Sequence, residues 1–140
     1  MKTKTLFLLC LLLGFGFTQL SAQSVNYTME WEYWTPIYCG GVQVDYVTGT
    51  ATAHVVEHYT DGELVWLKMH SCGEVTSESG EVFTIHNDQT KEDMTEGICT
   101  YHFNLDGEDG THYIGSFTWD WINDPYMENM VIEQSVCIGN

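Results

Sequence analysis

Arginine is absent from this chain, and of its four lysines only Lys68 and Lys91 lie beyond residue 22. All twenty aspartates and glutamates lie beyond that point, so residues 23–140 carry two positive charges against twenty negative ones, a net −18. Such a field repels phosphate backbones and anionic lipid headgroups, which excludes nucleic acid and anionic membrane surfaces as partners, and it attracts cations. No stretch repeats apolar residues at i, i+3, i+4 and i+7 over a helical length, so helices are not expected. Also missing are a Gly-x-Ser-x-Gly elbow, a P-loop, a dinucleotide fingerprint and any Cys-x-x-Cys pair. Catalytic residues are therefore not assigned.

The single long apolar run, Leu6 to Phe17, follows Lys2 and Lys4 and precedes Thr18-Gln19-Leu20-Ser21-Ala22. A basic start, a short apolar segment and a small residue at the end describe a secretory signal, too short for a spanning helix of about 20 residues. Residues 1–22 are thus read as a signal peptide cleaved near Ala22, and residues 23–140 as one secreted or periplasmic domain. Four cysteines remain in that domain: Cys39, Cys72, Cys99 and Cys137. An even number in an exported chain suggests two disulfides, with three pairings open.

Short segments rich in Val, Thr, Tyr, Trp and Ile, broken by Gly, Asp and Asn, read as strands near 25–34, 42–49, 50–60, 63–71, 81–87, 98–105, 111–121 and 128–138. Asp61-Gly62 is the preferred pair for a two-residue type I′ turn, which would set His58 across from Val65 and His54 across from Met69. Further turns are expected at Ser77–Gly80 and Asp106–Gly110. The polar stretch His86–Asp93 reads as an exposed loop. The fold class is all-β: a small antiparallel β-barrel of about eight strands, with a two-sheet β-sandwich as the alternative.

Six histidines and five tryptophans supply the candidate ligand-binding residues. His54 and His58 share one side of a strand, about 13 Å apart, too far to hold one metal ion unaided. Trp119-Asp120-Trp121 places two indoles on one side of another strand. Exposed, they would stack sugar rings; buried, they would fill a core. Alternation along 111–121 sets Tyr113, Gly115, Phe117, Trp119 and Trp121 on one continuous apolar face, which is expected to point inward. The candidate ligand residues are His54, His58, Trp66, Trp119 and Trp121. Asp106, Glu108 and Asp109 are hard-oxygen candidates for calcium, although their loop lacks EF-hand spacing and doubles as ordinary turn chemistry.

Cys39-Gly40-Gly41, Val47-Thr48-Gly49-Thr50, His54-Val55-Val56-Glu57-His58, Ser77–Phe83 and Ser135-Val136-Cys137 resemble a group of short secreted bacterial β proteins, mostly without assigned function. The resemblance implies a domain closed by its first and last cysteines and carries no catalytic residues. Cys39–Cys137 is the expected first disulfide, because it ties the two chain ends together, and Cys72–Cys99 follows by default. The expected function is a non-catalytic secreted module taking a small or apolar ligand in a barrel mouth. Two alternatives are a carbohydrate-binding sandwich with a tryptophan platform and a small barrel enzyme of the cyclase or isomerase kind.

Overall fold

The computed structural model describes residues 21–139. The expected signal peptide lies outside the described residues except for Ser21 and Ala22. Seven strands follow: β1 (Ala22–Cys39), β2 (Val42–Thr60), β3 (Glu63–Ser77), β4 (Val82–Asp93), β5 (Ile98–Gly107), β6 (His112–Asp120) and β7 (Val131–Ile138). They form one sheet in chain order, every neighbouring pair antiparallel. The all-β expectation holds. The count is seven rather than eight because segments 42–49 and 50–60 run on as one strand, β2.

No ladder joins β1 to β7, yet the sheet curls until β1 meets β6 and β7. The contact is made at one end only. There Cys39 and Cys137 form the expected disulfide, with Cα atoms 5.9 Å apart, and the Ser135 hydroxyl donates to the Tyr38 carbonyl. Tyr33, Thr35 and Ile37, on this half of β1, are buried. The other half, Ala22–Glu30, pairs with β2 but is exposed along its whole length. The curl is thus closed at the disulfide end and open at the other.

Inward-facing side chains from β1 to β6 meet in a core of Tyr33, Ile37, Val47, Val75, Phe83, Ile85, Tyr101, Phe103, Leu105 and Phe117. Burial of roughly 1.5–3 kcal/mol of transfer free energy per large side chain is the main force holding the curl. Gly115 makes it possible locally: a Cβ there would lie 2.2 Å from Cζ of Phe103, so only glycine lets that ring cross β6.

The Asp61-Gly62 turn has the expected two residues, with φ of 53° and 85° and Thr60 opposite Glu63. Beyond it, however, the ladder shifts by one residue between His58 and Tyr59, so His58 faces Trp66 rather than Val65, and His54 faces His70 rather than Met69. The extra residue falls at Val65, and a bulge of this kind reverses every face assignment after it. Trp66 therefore shares a face with Val56 and the two histidines.

The expected loop at His86–Asp93 is strand instead. β4 runs through it with an irregularity between Ile85 and Gln89, where Asn87 takes a φ of 57°. That bulge sends Asp88 into the core. The second expected disulfide is absent: Cys72 and Cys99 are free thiols. Cys72 is exposed on β3, while Cys99 is buried on β5, and β4 lies between them. Native protein comprising residues 23–140 should accordingly react with a soluble disulfide reagent at Cys72 alone, with Cys99 labelled only on unfolding. Burial raises the Cys99 pKa and so withholds its thiolate as well as its access. Two fast equivalents in the native state would contradict this placement.

Candidate functional site

Cross-strand partners share a face, so the ladders define rows across the inside of the curl. One row holds Tyr27, Val55, Met69, Thr90, Tyr101 and Phe117; the next, nearer the open end, holds Val25, Glu57, Leu67, Glu92, Cys99 and Trp119. Between these rows and the facing part of β1 lies a cavity of about 170 Å³. Trp31 and Trp34 of β1, Met69, Thr90, Glu92, Tyr101, Phe117, Trp119 and Met127 line it. Guests the size of benzene enter apolar cavities of roughly 150 Å³.

Two polar features underlie this cavity. The first lies behind Tyr101, one of its lining residues. Asp88 is buried, and its Oδ2 accepts from the Tyr33 hydroxyl. The Tyr101 hydroxyl lies 3.0 Å from the same oxygen and 2.7 Å from the Tyr33 hydroxyl. The Asn104 N–H donates to Oδ1 at 2.9 Å. Burial pushes the Asp88 pKa up to about 6 despite these donors, and both tyrosine pKa values are raised by burial beside it. The second feature is Glu92, half-buried in the cavity wall, whose pKa burial alone raises. It has no hydrogen bond or ion pair among the described residues. On the same row Glu57 accepts from Tyr27 at 2.8 Å and from Tyr59 at 2.7 Å, and those hydroxyls lower its pKa.

The outer face has the opposite character. His54, His70, Gln89 and His102 form one cross-strand row, and Lys68 pairs with Lys91 in the next. Both lysines of residues 23–140 are therefore direct neighbours on the outside of the sheet. His58 stacks on Trp66 at 5.0 Å, and Lys68 Nζ lies 5.1 Å over the same indole.

Of the candidate ligand residues, only Trp119 lines the cavity. His54, His58 and Trp66 lie on the outer face, because Val47, Ala51, Ala53 and Val55 are the buried positions of β2. Trp121 falls after the end of β6, where its backbone N–H donates to the Gly97 carbonyl at 3.0 Å. The inward face expected for Tyr113, Gly115, Phe117 and Trp119 is observed. Two of the acids considered for calcium are engaged separately: Asp106 contacts His86 and His112, and Asp109 accepts from the Thr111 N–H and hydroxyl, while Glu108 is placed by its backbone N–H on the Val82 carbonyl. Among the described residues no group of three or more His, Cys, Asp or Glu side chains is placed to hold a metal ion.

Sequence reasoning missed Glu92, which lines the cavity, and Asp88, which is buried behind its Tyr101. Period-two alternation of Asp88, Thr90 and Glu92 against Gln89 and Lys91 carried the signal, concealed by the uniform polarity of the segment. Comparison with protein-family models, curated proteins and solved structures finds no match for this chain.

Proposed function

We propose that the chain is a non-catalytic binding module of an oxidising compartment, holding a small, largely apolar ligand at the open end of its curled sheet. The observation that carries this reading is the aromatic cavity, to which β1, β3, β4, β5, β6 and the segment after β6 all contribute. Concave, mostly apolar sites with a few polar groups are the usual form of small-molecule sites. The Cys39–Cys137 disulfide and the signal-like residues 1–22 favour a secreted or periplasmic location. One continuous sheet with its ends drawn together favours a barrel with an incomplete seam over a two-sheet sandwich. A sugar platform is the weaker reading, since Trp119 faces into the curl.

Binding of a neutral aromatic probe such as 1-naphthol, followed by its fluorescence, tests the site. Trp119→Ala should weaken binding by roughly tenfold or more, as expected on losing one aromatic contact of about 1.5 kcal/mol. Trp66→Ala, on the outer face, should leave it unchanged. Equal loss in both variants, or no saturable binding by the wild type, would defeat the reading.

A further inference from the structure

We infer that the ligand is a compact organic cation, an ammonium group on a small apolar body, held by the cavity's aromatic rings and neutralised by Glu92. This rests on the cavity being the binding site and adds the ligand's class. A site meant for a wholly apolar molecule has no use for a carboxylate in its wall, because an unpaired, half-buried charge is costly. Glu92 is such a group, without hydrogen bond or ion pair among the described residues. No protein cation is placed to answer it: Lys91, next in sequence, points to the outer face with Lys68, and the described chain has no other lysine or arginine.

The remaining wall suits the same ligand. Trp31, Trp34, Tyr101 and Trp119 bring aromatic rings to one small cavity, and such rings attract a desolvated ammonium through their negative faces. A bare divalent ion would require several oxygen ligands instead, and the cavity offers one carboxylate and the Thr90 and Tyr101 hydroxyls. Glu57 lies on the same inward row, adding a second negative charge at the open end. At longer range, the net −18 raises the local concentration of any cation. An anionic ligand would meet repulsion at every one of these levels.

Choline and its uncharged isostere 3,3-dimethylbutan-1-ol separate charge from shape. Calorimetric titration of the disulfide-bonded protein at pH 7.5 should show choline binding roughly tenfold tighter than the alcohol. Glu92→Gln, nearly identical in volume, should sharply reduce that preference, leave the alcohol's affinity unchanged and melt no lower than the wild type, because it removes a half-buried charge. Added salt should weaken choline alone. Equal affinities in the wild type would overturn the cationic class while leaving the cavity reading intact. A preference undiminished in Glu92→Gln would overturn the role of that carboxylate. Binding of the neutral aromatic probe with neither choline nor the alcohol would also defeat the inference alone; failure of all three would defeat the site.

Discussion

Replacing Cys39 and Cys137 together by serine is expected to lower the free energy of unfolding by roughly 4–5 kcal/mol. The bond spans 98 residues, and closing a loop of that length removes about that much conformational freedom from the unfolded chain. A domain of this size has about 5–15 kcal/mol in total, so the bond carries from about a third to nearly all of it. The loss should be local as well as global. No ladder joins β1 to β7, so without the bond the seam retains only packing and the Ser135 hydroxyl's donation to Tyr38. Urea unfolding of the double variant measures the global loss, and amide exchange should show faster opening near Tyr38 and Ser135 than in the β2–β3 ladder. A stability change below about 1 kcal/mol would mean that packing alone holds the seam.

Asp88→Ala is the second large effect. It leaves one of the two paired tyrosine hydroxyl protons and the Asn104 N–H without an acceptor inside the core, at roughly 1–3 kcal/mol each, so a loss of about 4 kcal/mol is expected at pH 7. Asp88→Asn keeps the shape and one acceptor and should cost far less. It has a different signature, in pH. The native pKa, about 6, is raised above the ordinary carboxylate value near 4. The native state therefore binds the proton more tightly than the unfolded chain, and stability falls as pH rises between about 4 and 6, then levels off. Lowering the pH from 8 to 5 should add about 1.4 kcal/mol through this one group.

Glu92 and Glu81, both raised by burial, act in the same sense, and so does the mutual repulsion of the acidic surface. Glu57, Asp109 and Asp120 are lowered and oppose it, but they are exposed and well screened. The melting temperature should therefore be higher at pH 5 than at pH 8. Salt should shrink the surface part, and Asp88→Asn should remove the buried part. A melting temperature that drops steadily from pH 8 to pH 5 would show native carboxylate interactions outweighing both.

The strands were legible wherever alternation and turn chemistry agreed. β5, β6 and the turns at Ser77–Gly80 and Asp106–Gly110 emerge near their true places, because apolar residues alternate with polar ones between Gly-containing turns. The inward face of β6 followed from the same alternation. Two bulges defeated the rest. The one at Val65 lies beyond a correctly identified turn and leaves no local mark, since Leu64, Val65, Trp66 and Leu67 are all apolar and suit either face. The one in β4 lies in a stretch so polar that it resembles a loop, and it turns inward an aspartate whose partners, Tyr33 and Tyr101, are 55 and 13 residues away. Long-range satisfaction of a buried carboxylate is a property of the assembled core and has no sequence signature. The cysteines divide the same way: Cys39 and Cys137 could be paired from their places at the two ends of the chain, whereas the separation of Cys72 from Cys99 depends on β4 lying between them.

Every ladder in this protein joins strands that follow one another along the chain. The sheet can therefore grow hairpin by hairpin, each addition closing a short loop, which favours rapid folding for an all-β domain. The meeting of β1 with β6 and β7 brings the most distant segments together, and it requires the curl to be nearly complete. Cys39 and Cys137 thus reach each other late, after the other contacts have formed. Oxidation then acts as a latch on a finished molecule, sparing the folding rate and slowing the escape from the native state.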